Sequence, residues 1–293
     1  MKLWAISDLH LSSQVNRDAL EDIADHGEDW LILAGDIAER FEQGEQTFRM
    51  LQQRFAQLIW VPGNHDLWSV RRENEPNPPR GDARYREWLR ICRENGVLTP
   101  EDPFPVWQGE TRWDAPTVIA PLFLLYDYSF RPPDVPMDGL RAWAREHQSV
   151  CSDEIYLNPE PHASRQAWCA SLVKAAEERL MQEIPAGART VLVNHWPLTQ
   201  EVIYIPRVPR FAAWCGTTLT ADWHTRFNAA VAVSGHLHTR RTDMIDGTRF
   251  EEVSLGYPRH WNREAGIGCY LREILPGPVE QDLPPVGETK RWR

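Results

Sequence analysis

The chain has no Cys-x-x-Cys pair. Its five cysteines, Cys92, Cys151, Cys169, Cys215 and Cys269, are scattered and odd in number. That spacing excludes a zinc knuckle and argues against a disulfide framework, so free thiols in a reducing compartment are expected. No apolar run approaches the roughly 20 residues of a membrane-spanning helix, and no membrane partner is expected. There is no basic stripe either. The formal net charge is -10 and the sequence pI about 5.5. An acidic surface repels phosphate backbones, which makes long nucleic acid an improbable partner. A small phosphorylated substrate is not excluded, because bound cations would set the field inside a pocket. No signal peptide is expected, since Met1-Lys2 runs straight into a strand-like segment and cleavage there would remove Asp8. A cytoplasmic location is expected. Internal repeats and low-complexity linkers are absent as well.

What is present reads as a globular α/β protein. Hydrophobic residues make up 42% and charged residues 25% of 293 positions, ordinary values for a folded soluble domain. Short apolar runs at Leu3–Ile6, Trp30–Ala34 and Leu58–Val61 alternate with helical patterns over about 17–25 and 46–55, which suggests parallel pairing. A helix is expected near 85–94 and a strand at 117–120. Ser164 is placed to cap a long helix running to about Glu183. Strands resume at 190–193 and 230–233. A hairpin over 241–254 turns at Asp246-Gly247, and a last strand lies within 269–274. Residues 1–275 are expected to form a single domain with insertions near 70–83 and 126–162. The Pro-rich tail, 276–293, is expected to be loosely held.

Five of these apolar runs end abruptly in metal-ligand residue types. They lead into Asp8-Leu9-His10, Gly35-Asp36, Gly63-Asn64-His65-Asp66, Asn194-His195 and Gly235-His236-Leu237-His238. In open α/β sheets ligands bind beyond the carboxyl ends of strands, so loops leaving neighbouring strands can meet at one point. Carboxylate, imidazole and amide oxygen suit Mn²⁺, Fe²⁺ or Zn²⁺, and no thiolate is offered. Asp-x-His, His-x-His and Gly-Asp are each commonplace in structural roles, while Gly-Asn-His-Asp after a strand is much rarer. All five in order, each closing a β-run, point to a metal centre.

Asp8-x-His10, Gly35-Asp36, Gly63-Asn64-His65-Asp66, His195 and Gly235-His236-x-His238 together resemble the signature of the calcineurin-like metallophosphoesterases. The resemblance implies a four-layer α/β/β/α sandwich with two mixed β-sheets and the metal site at the strand carboxyl ends. It implies two divalent metal ions, Mn²⁺ foremost, with Fe, Zn or Ni also accepted. Asp8, His10 and His238 would hold one ion, Asn64, His195 and His236 the other, and Asp36 would bridge them. The implied activity is hydrolysis of a phosphomonoester or phosphodiester by in-line attack of a hydroxide bridging the two metals. His65 would be the general acid or would bind the phosphoryl group.

In phosphoprotein phosphatases of this superfamily a carboxylate at the offset of Glu39 orients the motif histidine, so Glu39 either pairs with His65 or is a surface residue starting a helix. Arg40 stands where those enzymes bind phosphate, with a surface arginine the favoured alternative. Purple acid phosphatases carry Tyr at the Glu39 offset, so a tyrosinate-bound ferric ion is not expected. The substrate would be a small phosphorylated molecule or a phosphoprotein. A nuclease acting on short single strands and a non-catalytic scaffold are the competing readings, against which stand the acidic balance and the complete ligand set. Of the 14 tryptophans, Trp68, Trp196 and Trp261 lie next to motif residues or to His260, and packing is the expected role over stacking on a base. Arg71, Arg72 and Arg80 are expected in a solvated loop.

Overall fold

A computed structural model describes residues 1–73, 75–278 and 280–292. The chain runs through β1 (Leu3–Ile6), α1 (Gln14–Leu20), β2 (Trp30–Leu33), α2 (Phe41–Leu51), β3 (Gln57–Trp60), α3 (Asn64–Leu67) and α4 (Gly81–Glu94). It continues through β4 (Thr117–Pro121), α5 (Leu140–Arg145), α6 (Asp153–Tyr156), α7 (Arg165–Glu183) and β5 (Arg189–Val193). The last part holds α8 (Trp223–Arg226), β6 (Ala229–Ser234), β7 (Arg241–Ile245), β8 (Thr248–Glu252), β9 (Arg272–Leu275) and β10 (Thr289–Arg291).

Two mixed sheets result. One has the order β3-β2-β1-β9, parallel except for β9, and the other β10-β7-β8-β6-β5-β4, with β7 antiparallel to both of its neighbours. Strands of four to six residues buried on both faces read as continuous apolar runs, which is why the motifs stand out at their ends. Leu3, Ala5, Ile32 and Ile59 of the first sheet pack with Val191, Val193, Val231 and Val233 of the second in one inter-sheet core. The opposite faces pack under helices. Leu31, Leu33, Leu58 and Trp60 share a core with Phe48, Leu51, Trp88 and Cys92, and Val118, Leu192 and Ala232 share it with Trp168, Val173 and Leu180. This is the expected α/β/β/α sandwich.

The two sheets touch where β1 and β8 end. Ser7 and Ser254 form a parallel bridge, with Ser7 N donating to Val253 O at 3.0 Å and Leu255 N to Ser7 O at 2.9 Å. The carboxyl ends of both sheets are thereby brought to one place.

Local signals hold in several elements. Ser164 caps α7, its Oγ accepting from Ala167 N at 3.1 Å. Asp246 and Gly247 turn the β7–β8 hairpin with φ of 51° and 77°, the left-handed pair that such a turn needs. Helix α2 begins at Phe41, five residues before the expected start, and runs through Gly44. The glycine lowers helix propensity, but tertiary packing overrides it, because Trp88 of α4 lies directly over the place a Cβ would occupy. Before β9, Ile267–Tyr270 is a 3₁₀ turn and not strand. Within the Pro-rich tail, Thr289–Arg291 adds an edge strand to β7, and the Arg272 guanidinium lies 5.0 Å from the Trp292 ring centroid.

Gly44→Ala in an exposed helix would stabilise by about 1 kcal/mol. Here the methyl group meets Trp88, so the substitution is expected to destabilise by about 1–3 kcal/mol. Chemical denaturation checks the sign, and a stabilised variant would show that Trp88 moves aside freely.

Candidate metal centre

The first three strands deliver Asp8 and His10, Asp36, and Asn64 with His65. β5 and β6 of the second sheet deliver His195, His236 and His238. All are buried except His238, whose side chain is 15% exposed. His10 Nε2 lies 3.1 Å from His238 Nε2, and His238 Nε2 lies 2.9 Å from Asp8 Oδ1. Asn64 Oδ1 sits 3.2 Å from His195 Nε2 and 3.1 Å from His236 Nδ1. Asp36 Oδ2 lies between the two groups, 3.5 Å from His195 Nε2 and 3.9 Å from His65 Nε2. Ligand atoms of Asp8, His10 and His238, of Asp8, Asp36 and His195, and of His10, Asp36 and His65 lie within 4.8 Å of one another in each set.

This donor set fits divalent cations. The Nδ1 atom of His195 sits 2.8 Å from the Ala34 carbonyl and therefore carries the hydrogen, which leaves Nε2 as a lone pair facing the Asn64 and Asp36 oxygens. Acceptors aimed at acceptors in a buried space repel unless a cation lies between them. Burial first, then neighbouring imidazoles, hold His10 and His236 well below the usual histidine value. Burial likewise lowers His195. The rings are neutral at physiological pH, the form that ligates metal. Burial, then Asp8 and Asp66, push Asp36 well above the usual carboxylate range. Burial works against Asp8 too, yet His238, His195 and His10 hold it well below that range. A bound cation would favour the ionised form of both.

Each carboxylate has one oxygen tied down and one facing inward. Asp8 Oδ2 accepts from Ser7 Oγ at 2.6 Å, Ser254 Oγ at 2.7 Å and His236 N at 3.0 Å. Asp36 Oδ1 accepts from His65 N at 2.8 Å. The loops are held in unusual backbone. Asp8, His10, Asp36, His236 and His238 all take left-handed φ, between 45° and 72°. Asp and His tolerate this region better than most side chains, but it is strained, and such strain clusters at functional sites.

Hydrogen bonds between loops hold it in place: Asp8 N donates to Gly35 O at 2.9 Å, His10 N to Asp36 O at 3.1 Å and His238 N to Glu252 Oε1 at 3.1 Å. Asp66 closes the arrangement by accepting from the backbone N–H groups of Asp36, Ile37, Ala38 and Gly63 at 2.9–3.0 Å. Burial pushes its carboxyl up to about 6, against the pull of those four donors.

His65 stands beside the cluster with its Nδ1 3.2 Å from Glu39 Oε1 and its ring against Trp68, centroids 3.6 Å apart. The His65 contact comes first among the causes that lower the Glu39 pKa. Burial opposes it and Arg72 adds to it. Arg40, by contrast, is exposed at the N-cap of α2, and no hydrogen bond or ion pair joins its side chain to the cluster among the described residues. Arg72, expected in a solvated loop, turns inward instead and pairs with Glu39 Oε2 at 3.5 Å. Arg80 pairs with Glu160 at the surface. Trp196 and Trp261 are buried packing residues.

Several residues at the centre had no motif to announce them. Tyr257 stacks on His10, centroids 4.3 Å apart, and His260 Nδ1 lies 3.0 Å from His238 Nδ1. Asp153 accepts from Asn64 Nδ2 at 3.0 Å. Asn194 is structural: it accepts from Leu124 N and donates to Trp196 O.

Comparison with known proteins assigns the architecture. The family model for calcineurin-like phosphoesterases matches residues 1–240. The chain is 48% identical over 279 residues to the [acyl-carrier-protein] phosphodiesterase PptH of Mycobacterium tuberculosis, covering 94% of this chain and 84% of that protein. The crystal structure of the phosphopantetheinyl hydrolase PptH from M. tuberculosis superposes with a TM-score of 0.86 at 46% identity, covering 97% of this chain and 98% of that one. The chain belongs to the calcineurin-like phosphoesterase family and is a metal-dependent hydrolase of phosphoric esters. No helix among the described residues is long and apolar enough to cross a membrane.

Gly235 has no room for a side chain, because a Cβ there would run into Ser7 Oγ and Asp8 Oδ2. Gly235→Ala is expected to displace Asp8, lowering bound metal and metal-dependent turnover at least tenfold while the protein still folds. Metal content by elemental analysis alongside a melting curve tests this. Unchanged metal content would mean that the Asp8 loop is not the rigid cradle described here.

Proposed function

We propose that this calcineurin-like phosphoesterase holds two divalent metal ions and hydrolyses the phosphodiester that joins a phosphopantetheinyl group to an acyl carrier protein. The observation that carries the substrate assignment is the likeness to the mycobacterial enzyme over 97% of the chain. Coverage that complete includes most of the 126–162 insertion, where the sequence alone offered no legible motif. Free cysteines, four of them buried, fit a reducing cytoplasm, where carrier proteins are modified. A nuclease or a non-catalytic scaffold has no comparable support.

In this reading Asp8, His10 and His238 hold one ion, Asn64, His195 and His236 the other, and Asp36 serves both. Oxygen and imidazole donors suit Mn²⁺ first, with Fe, Zn or Ni accepted. When bound, the ions supply positive charge to the phosphoryl oxygens and make an attacking water more acidic. The chain supplies the rest. Glu39 accepts a hydrogen bond from His65 Nδ1–H, which fixes the ring and leaves Nε2–H of the protonated ring to give its proton to the departing oxygen. Trp68 against the His65 face and the Arg72 contact to Glu39 keep that pair from swinging away. Arg40 has no role here.

Metal-stripped protein reloaded with Mn²⁺ is expected to remove the phosphopantetheinyl mass from a carrier protein, read by mass spectrometry, and to cleave bis-p-nitrophenyl phosphate faster than the monoester. Turnover of model esters without any action on the carrier protein would discard the proposed substrate and keep the hydrolase. Asp36→Asn is expected to lose metal along with activity, and normal metal content in that variant would remove Asp36 from the ligand set. His65→Ala should keep its metals and lose turnover by about 10²–10⁴-fold. The loss should be larger for poor leaving groups than for good ones, and an equal loss across leaving groups would rule out proton donation.

A further inference from the structure

The 126–162 insertion touches the centre through Asp153. Asp153 is the first residue of α6 and is 0% exposed. Its Oδ1 accepts from Asn64 Nδ2 at 3.0 Å and from Trp68 Nε1 at 2.7 Å. The Asn64 amide has two chemically opposite ends of nearly equal size. With its NH₂ end taken by a carboxylate, only the oxygen can face His195 and His236, at 3.2 Å and 3.1 Å. An amide turned the other way would present N–H groups where a cation has to sit.

Asp153 itself is firmly held. Arg165, at the start of α7, donates from Nη2 to Asp153 O at 2.6 Å and from Nε to Leu157 O at 2.9 Å. The neighbouring Glu154 accepts from Tyr128 Oη at 2.8 Å and Trp214 Nε1 at 2.9 Å. The second Asp153 oxygen, Oδ2, is buried without a hydrogen-bond partner among the described residues, and so is His236 Nε2.

We infer that Asp153 is a positioning residue for the Asn64–His195–His236 half of the centre: by holding the Asn64 amide oxygen inward it makes the divalent-cation affinity of that half depend on the insertion. The inference rests on the reading of Asn64 as a metal ligand. Residues that orient a ligand in this way typically contribute 10- to 100-fold in metal affinity.

The test is calorimetric titration of metal-free full-length protein with Mn²⁺, reading two binding steps. Asn64→Ala and His238→Ala identify which step belongs to which half. Asp153→Leu is expected to weaken the Asn64 step 10- to 100-fold and leave the His238 step within about twofold. Asp153→Asn, which still offers an acceptor oxygen, should lose less, under tenfold. The Asn64→Ala/Asp153→Leu double variant should bind no more weakly than Asn64→Ala alone, since the two residues act as a unit.

If Asp153→Leu does not fold, Asp153→Asn and Trp68→Phe carry the same test through their selective effect on the Asn64 step. Wild-type affinity for both steps in folded Asp153 variants, or equal weakening of both, would overturn the positioning role. An Asn64→Ala variant that keeps both steps would overturn the ligand reading itself, and the two failures are told apart by which variant produces them.

Discussion

Two carboxylates buried within one cluster cannot both stay ionised unless positive charge lies among them. Asp8 and Asp36 are in that position, and among the described residues no lysine or arginine pairs with either. Burial first, with neighbouring imidazoles adding to it, holds His10, His195 and His236 below the usual histidine value. Inward-facing oxygens and ring nitrogens thus form a shell of acceptors whose mutual repulsion is relieved by metal cations. The inter-sheet bridge, the short strands and the glycine-permitted close approaches all serve to bring those acceptors together.

Holding such a shell requires rigidity in what is formally loop. Five of the ligand-type residues take left-handed backbone, at a cost on the order of 1–3 kcal/mol each. That strain persists because the loops are bonded to each other rather than to solvent. Asp66 is the main tie: one side chain from α3 satisfies three amides of the loop after β2 and one of the loop after β3. Glu252 does the same across the second sheet, accepting from His238, Thr239 and Arg240. Burying these carboxylates is tolerable because each is surrounded by directed N–H groups.

Beyond the inter-sheet core, the insertion and the loop after β5 gather against one half of the centre. The insertion provides Asp153 behind Asn64. Phe211 stacks on His236, centroids 5.6 Å apart, and Trp214 continues the stack at 6.0 Å from Phe211. The other half, around His10 and His238, is backed by Tyr257 and His260. Aromatic rings against these imidazoles limit their rotation: Trp68 lies against His65, and Trp196 against His195 and His236.

The residues Asp8, His10, Asp36, Asn64, His195, His236 and His238 were legible in the sequence because each lies just beyond a buried strand, and a strand buried on both faces shows as an unbroken apolar run with an abrupt end. Strand ends are local signals, and local patterns survive in one dimension. The Glu39–His65 contact, across 26 positions, was anticipated from the family resemblance and not from a local pattern. The sequence could not show that Arg40 turns outward at the start of α2 while Arg72 folds back onto Glu39, since both are arginines in polar stretches and only packing distinguishes them.

Nor could the sequence reveal Asp153, 89 positions from the Asn64 it holds. Helix α2 extends through Gly44 because Trp88 fills the space above it, a long-range contact that propensity does not contain. The sequence by itself determined the ligand chemistry and the strand ends that present it. The tertiary structure alone decided which distant side chains contact those residues, because such contacts join segments that the chain order keeps far apart.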